Sequence, residues 1–181
     1  MKPSFRVGLR ALQEGDAEAL YAAIEASRPQ LKRRLRWIAA VRAPEDCREF
    51  IRGRALAGER LEELVYGVFE ARRGLIGIAA LQNLRKNPGV AEFSCWISAP
   101  SRGRGLACQA GRLLVALAFK NKGLRRLYAR LEPSNRPARK VIQKLGFRYE
   151  GRLRQAKRLN GRWVDQECWG LLKSDRNKRG S

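Results

Sequence analysis

The stretch SRGRGLA, residues 101–107, decides how the fold of this chain is interpreted. It lies between a strand-like segment, residues 90–98, and an amphipathic segment, residues 107–119, whose leucines recur at helical spacing. Two glycines let a backbone turn tightly and approach a ligand closely. The first amides of a helix have no intrahelical acceptor, and the helix dipole is positive there. The stretch predicts a loop that binds an anion such as a pyrophosphate, although a plain corner between strand and helix fits it too.

Hydrophobic periodicity and turn residues on both sides of this loop predict the other elements. Their order is a strand, a group of helices, three antiparallel strands, a helix, a strand, a helix and two strands. It predicts an α/β fold of the α+β type, with a central mixed, mostly antiparallel sheet flanked by helices. We expect one domain over residues 1–173 and a basic flexible tail over residues 174–181. The predicted strands are residues 5–12, 64–71, 75–84, 90–98, 127–131, 147–158 and 162–172. The predicted helices begin at Asp16, Pro29, Pro44, Ala107 and Asn135, and the last hairpin turns at Asn160-Gly161. Asp16 is the predicted N-cap of the first helix, and the second helix is predicted to reach Trp37.

The composition excludes several classes of protein. The chain has 181 residues, of which 44% are hydrophobic, and this is enough to bury a core. It has no histidine, so a histidine-based catalytic triad is excluded and no metal site is expected. No apolar run reaches about 18 residues, so no membrane span is expected. Four cysteines without a C-x-x-C pair and the lack of a signal-like start predict a cytoplasmic protein with free thiols.

Positive charge is the most unusual property of the sequence. The formal net charge is +22, and residues 96–164 contain 18 basic residues against two acids, Glu132 and Glu150. Such an excess predicts attraction to nucleic acid, an anionic membrane or a polyphosphate ligand. The alternative is that the arginines merely coat the surface.

Residues 101–107 resemble the acetyl-CoA-binding motif of the GNAT superfamily of N-acetyltransferases, Q/R-x-x-G-x-G/A, with Arg102, Gly105 and Ala107 at its defined positions. Further blocks resemble the same superfamily, and the last of them is typical of its subgroup of ribosomal-protein alanine and serine N-acetyltransferases. These blocks are AEFSCWI at 91–97, EPSN at 132–135, KLGF at 144–147 and LNGRWVD at 159–165. The resemblance covers nearly the whole chain and implies an acetyl-CoA-dependent N-acetyltransferase.

The resemblance also implies cofactor contacts. The loop backbone would hold the pyrophosphate of acetyl-CoA, and Ile97 would pair its backbone with the pantetheine arm as an added strand does. Asn135 would contact the cofactor near the thioester, and it also suits the N-cap of a helix. The implied cofactor-binding residues are Ile97, Arg102, Gly103, Arg104, Gly105, Leu106, Ala107 and Asn135.

Glu92 is the candidate general base, because the acceptor amine must lose a proton before it attacks a thioester. The alternative is that Glu92 pairs with one of the many arginines. Relatives often carry a serine three residues after the asparagine, where it can protonate the leaving thiolate. This chain has Ala138 there. The general acid therefore stays unassigned, with Ser134 and Tyr149 as possible substitutes.

Trp37, Arg33 and Arg34 lie in the region that walls the acceptor cleft in relatives, although core packing also accounts for Trp37. A basic run here would repel a polycationic acceptor and attract an acidic peptide or an amine presented on RNA. The expected acceptor is a protein N-terminal α-amine, as in ribosomal-protein acetylation. The alternatives are a small-amine acetyltransferase and a basic RNA-binding or regulatory module with little turnover. The expected partners are coenzyme A, the acceptor and the ribosome or its RNA, and the chain is expected to be a monomer or homodimer.

Overall fold

Seven strands form one sheet in the computed structural model, which describes residues 7–159 and 161–177. The sheet order is β1-β2-β3-β4-β5-β7-β6, and each neighbouring pair is antiparallel except β4 with β5. The fold class predicted from the sequence is confirmed. The strands are β1 (Val7–Ala11), β2 (Leu64–Glu70), β3 (Gly74–Gln82), β4 (Val90–Ile97), β5 (Arg126–Leu131), β6 (Arg148–Leu159) and β7 (Arg162–Leu172).

Helices cover both faces of the sheet. One apolar cluster packs α1 to α3 against β3 through residues such as Leu20, Ile51 and Ile78. A second cluster packs α4 and α5 against β4 and β5 through residues such as Leu114 and Phe93. The helices are α1 (Ala17–Glu25), α2 (Arg28–Lys32), α3 (Pro44–Glu59), α4 (Leu106–Ala116), α5 (Arg136–Leu145) and α6 (Lys173–Asn177).

One local prediction was confirmed and another was wrong. Asp16 is the N-cap of α1, although its carboxylate accepts hydrogen bonds from the Arg10 guanidinium and the Gln13 amide rather than from the first turn of the helix. The helix that begins near Pro29 ends at Lys32 rather than near Trp37, because Leu35 adopts an extended conformation. That break brings the fully buried Ile38 into the core.

Some predictions fall on the undescribed part of the chain. The first two residues of the predicted N-terminal strand, the turn residue Asn160 and the end of the tail, residues 178–181, lie outside the described residues. The start of the predicted tail, residues 174–177, belongs to α6. The boundary between domain and tail therefore stays a prediction. Within the described ranges, no helix is both long and apolar enough to cross a membrane.

The sheet opens between its two parallel strands. β4 and β5 pair over three residues only, from Val90 with Arg126 to Glu92 with Tyr128. β4 then continues along β3 to Ile97, and β5 continues along β7. Because each strand keeps a different partner, the two diverge and leave a wedge between them. Glu92 and Tyr128 lie at its closed end and Ile97 at its open end, about 17 Å along the strand at 3.3–3.4 Å per residue.

Backbone hydrogen-bonding groups of β4 line this wedge. The Ser98 amide donates to the Ile76 carbonyl at 2.7 Å, and residues alternate in direction along an antiparallel ladder. Ile97 and Cys95 therefore point their N–H and C=O groups away from β3 and into the wedge. Within the described residues no strand pairs with them there. The wedge is an unfilled position for one extended chain.

Gly77 of β3 fixes where the open end of β4 lies. A Cβ at Gly77 would collide with the Trp96 carbonyl oxygen and lie 3.0 Å from the Ile97 Cα. Gly77→Ala is expected to lower the free energy of unfolding by about 1–3 kcal/mol, because the backbone of β4 must shift. Urea unfolding measures this.

Gly8→Ala in β1 is the matched control, since a Cβ there meets nothing within 4 Å. It should be neutral or slightly stabilising. Equal unfolding midpoints for both variants would contradict the close approach at Gly77.

Candidate active site

The loop between β4 and α4 turns on two glycines. Gly103 and Gly105 have φ values of 75° and 74°, in the left-handed region that a glycine adopts without strain. The Gly105 carbonyl accepts from the amides of Cys108 and Gln109 at 3.1 Å, which starts α4 at Leu106. The sequence pattern thus forms the predicted corner between strand and helix.

Five successive amides of this loop are free to bind an anion. The N–H groups of residues 103–107 donate no hydrogen bond to any acceptor in the described part of the chain. They lie at the N-terminus of an 11-residue helix, where the dipole adds positive potential. The loop therefore fits a pyrophosphate through its backbone.

The side chains of the loop arginines have partners of their own. The Arg104 guanidinium forms a bidentate pair with the buried Glu70 carboxylate, at 2.6 and 3.0 Å. Arg102 donates from Nε to the Ile97 carbonyl at 3.0 Å. Ile97 therefore points its carbonyl into the wedge, as the strand register requires. A ligand strand that used this carbonyl would have to displace Arg102.

Arg102 and Arg34 come together at the open end of the wedge. Burial and the charge of Arg34 lower the pKa of Arg102. The Arg34 Nε is buried without a hydrogen-bond partner in the described residues. Two neighbouring guanidiniums, one of which has a buried donor without a partner, favour the binding of an anion beside them. Arg102, which was predicted to bind the cofactor, thus lies near Arg34, which was predicted to bind the acceptor.

A second helix begins at the same end of the wedge. Asn135 is the N-cap of α5, and its Oδ1 accepts from the Ala138 amide at 3.4 Å. Arg139, on the first turn, forms a pair with Glu167 at 2.6 Å and is not a free cation. The N-cap role of Asn135 is confirmed, and its contact with the cofactor stays a prediction.

A hydrogen-bonded network closes the other end of the wedge. The Asn83 side-chain amide donates to the Glu92 carboxylate at 2.9 Å and to the Tyr128 hydroxyl at 3.1 Å. Burial and the neighbouring Glu92 charge raise the pKa of Tyr128, so its hydroxyl stays protonated at neutral pH. Asn83 has a φ of 61°, a conformation that asparagine tolerates better than most residues.

Glu92 also faces an open cavity of about 650 Å³. Two other carboxylates line it, and each is neutralised: Glu62 pairs with Arg85 at 3.5 Å, and the buried Glu63 pairs with Arg54. Glu92 forms no ion pair within the described residues and accepts a hydrogen bond from the neutral Asn83 amide instead. The alternative prediction, in which an arginine neutralises Glu92, is therefore not what the structure shows.

The remaining predicted residues lie apart from this network. Trp37 stacks on Phe50 with ring centroids 4.3 Å apart and packs against the α1–α3 core. Arg33 is exposed at the end of α2. Tyr149, considered as a substitute acid, is 53% exposed and meets Trp169 edge-on.

Sequence reasoning missed Asn83 and Tyr128. Tyr128 alternates with the buried Leu127 and Ala129 on a short strand, which marks it as facing the opposite side of the sheet from them. That signal can be read from the sequence. The contact between Asn83, Glu92 and Tyr128, which come from three separate segments, cannot be read from it.

Gly105→Val tests the loop. A branched side chain at φ 74° is strained, so the loop should shift and lose its set of free amides. Acetyl-CoA raises the melting temperature of a protein that binds it in the folded state, because a hundredfold excess over Kd adds about 2.7 kcal/mol to the free energy of unfolding. We expect this shift to disappear in Gly105→Val.

Gly8→Val is the control, because Gly8 is exposed and its added side chain meets nothing within 4 Å. It should keep the acetyl-CoA shift. A folded Gly105→Val variant with undiminished affinity would show that the loop does not bind the cofactor.

Comparison with known proteins agrees with this geometry. The family model described as "Acetyltransferase (GNAT) domain" matches residues 6–148. The ribosomal-protein-serine acetyltransferase of Escherichia coli is 27% identical over 172 residues, which cover 95% of this chain and 96% of that protein.

Solved structures share the fold. RimL, a ribosomal-protein α-N-acetyltransferase solved with coenzyme A, has a TM-score of 0.87 and 22% identity, over 93% of this chain and 95% of that one. The microcin self-immunity acetyltransferase MccE, solved with acetyl-CoA and AMP, has a TM-score of 0.85 and 20% identity, over 93% of each chain. This chain belongs to the GNAT acetyltransferase family, and it is an acetyl-CoA-dependent N-acetyltransferase.

Proposed function

We propose that this enzyme acetylates the N-terminal α-amine of a protein, with a ribosomal protein as the type of acceptor. The observation that carries the proposal is Glu92, a carboxylate without a cationic partner in the described residues, between the closed end of the wedge and an open cavity. Full-length similarity to a ribosomal-protein-serine acetyltransferase supports the choice of acceptor. In this proposal the enzyme acts in the cytoplasm, as a monomer or homodimer.

The cofactor would lie along the wedge. The amides of residues 103–107 would bind its pyrophosphate, and the inward-facing backbone of Cys95 and Ile97 would pair with the extended arm. Acetyl-CoA supplies the thioester whose acetyl group is transferred. Because the wedge closes at Glu92 and Tyr128, an arm that follows β4 from the loop ends beside these two side chains.

Glu92 would accept the proton of the acceptor amine. A protein α-amine has a pKa of about 7.7–8.0, against about 10.4 for lysine, so only a modest base is needed at neutral pH. The Asn83 amide holds one carboxylate oxygen of Glu92, Oε2, and the other is left to face the acceptor. An unpaired carboxylate in a cavity also attracts an incoming ammonium group.

Tyr128 would donate the proton that the departing thiolate needs. Its hydroxyl accepts from Asn83 and also interacts with the Glu92 carboxylate, and its proton would pass to the thiolate once that stronger base forms nearby. The raised pKa of Tyr128 keeps that proton in place until a base appears nearby. This assignment fills the role that Ala138 leaves vacant.

Glu92→Gln tests the base. The amide can still accept from Asn83 but cannot take up a proton, so kcat at neutral pH should fall roughly 10²–10⁴-fold. The loss should shrink as pH rises through the pKa of the acceptor amine, because the neutral amine then forms without help. Thiol release from acetyl-CoA with a peptide acceptor measures the rate.

Glu49→Gln is the matched control, since Glu49 is an exposed carboxylate on α3, away from the wedge. It should keep wild-type turnover at every pH. Wild-type turnover of Glu92→Gln at neutral pH would leave Glu92 without a chemical role.

Tyr128→Phe tests the acid. Removal of the hydroxyl should lower kcat by about 10²-fold and leave the KM for acetyl-CoA unchanged. The decisive comparison is between the double variant Glu92→Gln with Tyr128→Phe and Glu92→Gln alone, both assayed well above the pKa of the acceptor amine. A second loss there supports proton donation, whereas no further loss would show that Tyr128 acts only by orienting Glu92 through Asn83.

The acceptor itself is tested by a panel. Peptides with a free α-amine should react with higher kcat/KM than their N-terminally blocked forms that contain lysine, and higher than spermidine or amino sugars. Preference for a small amine would overturn the proposed acceptor and leave the family assignment intact.

A further inference from the structure

We infer that the outer half of the β6–β7 hairpin, together with the loop after α2, forms a binding surface for single-stranded RNA. The proposal rests on Trp163 and the cations around it. Here the binding surface means the exposed side chains of residues 154–159 and 161–163 with residues 32–36. The choice of RNA rests on the proposed function, because a ribosomal protein is presented on RNA.

Hydrogen bonds join the two parts of this surface. The Arg36 guanidinium donates to the Arg158 carbonyl at 2.9 Å, and the Lys157 ammonium donates to the Arg34 carbonyl at 3.3 Å. Segments more than 120 residues apart in the chain are thus held side by side. The sequence predicted a basic run before Trp37, and the structure extends it onto the hairpin.

Trp163 supplies an open aromatic face. Its side chain is 61% exposed, the second most exposed large apolar residue of the described chain. Within the described residues no ring stacks on it and no cation lies over it. A protein that leaves an indole this exposed loses the free energy of its burial, unless a partner covers it. Nucleobases stack on such faces irrespective of base identity.

Cations without acidic partners lie on both faces of the hairpin near the indole, and Lys157 and Arg162 project from the face opposite to Trp163. Arg158 is the cross-strand neighbour of Trp163, so both side chains project from the same face of the hairpin. Asp165, an acidic residue on the same hairpin, already forms an ion pair with Arg152 at 2.7 Å. Arg154 also lies near Asp165 and helps to lower its pKa. In the described chain no carboxylate pairs with the other cations of the surface, which are Lys32, Arg33, Arg36, Lys157, Arg158 and Arg162.

An aromatic face flanked by cations suits a single strand better than a duplex or an acidic peptide. In a duplex the base faces are stacked on one another and cannot reach an indole. An acidic peptide would satisfy the cations but leave the indole uncovered. Single strands offer both a phosphate for each cation and an unstacked base for the ring.

Fluorescence anisotropy of a labelled oligouridylate, without acetyl-CoA, tests the surface. We expect Trp163→Ala to weaken binding by roughly 5- to 150-fold and Trp163→Phe to keep most of it. The double variant Arg158→Glu with Arg162→Glu should weaken binding as well. It should also flatten the dependence of log K on log salt concentration by about 0.7 for each phosphate that the variant no longer neutralises.

Lys120→Glu with Lys122→Glu is the matched control. Both lysines are exposed beyond the C-terminal end of α4, and the double variant has the same net charge as the arginine double variant. It should bind the oligouridylate like the parent protein. An equal loss in the control would show that net charge alone attracts RNA, and would overturn the proposed surface.

Two further results would overturn the proposal. One is unchanged affinity in Trp163→Ala; the other is equal binding of polyglutamate or duplex RNA. Acetylation of peptides is measured separately. Failure of the acceptor panel with intact, Trp163-dependent RNA binding would count against the proposed acceptor and not against the surface.

Discussion

The divergence of β4 from β5 is the constraint on which the rest of the site depends. Two parallel strands that stayed paired would leave no position for a ligand inside the sheet. Here each strand keeps its antiparallel neighbour to the end, β3 for β4 and β7 for β5, while their mutual pairing stops after Glu92 and Tyr128. The backbone groups of β4 that face the wedge have no strand partner there and are available to an added extended chain, because a buried N–H or C=O without a partner costs free energy.

Each end of the wedge has its own chemistry. The open end holds the free amides of residues 103–107, the N-terminus of α5 and the neighbouring Arg34 and Arg102, so its potential is positive. The closed end holds the Glu92 carboxylate and the protonated Tyr128 hydroxyl, linked by Asn83. One strand therefore connects the proposed site for the pyrophosphate with the proposed site of proton transfer, and its length sets the distance between them.

The arginines of this chain fall into two groups, those that form ion pairs and those that do not. The net charge of +22 is far above what a pyrophosphate and a ribose phosphate can neutralise. Many arginines are engaged in ion pairs that hold the fold together, such as Arg104 with Glu70 and Arg139 with Glu167. Others at the tip of the hairpin and on the loop after α2, such as Arg33, Arg158 and Arg162, form no ion pair in the described residues and add positive charge where hairpin and loop meet.

The sequence by itself determined the elements, the fold class and the family. Alternation, helical spacing and turn residues act over a few positions, so the strands and helices followed from local pattern, apart from details such as the short α2. The glycines at 103 and 105 gave the turn from β4 into α4 for the same reason: a left-handed φ is a property of single residues.

Only the tertiary structure decided how these parts form a site. Asn83, Glu92 and Tyr128 come from three segments, and Arg34 reaches Arg102 across 68 positions. Whether Glu92 pairs with an arginine or stays unpaired depends on the side chains that tertiary packing brings near it. The local sequence pattern does not contain this information. Contacts between distant segments are set by the register of the sheet and the packing of its two helical layers, which exist only once the whole chain has folded.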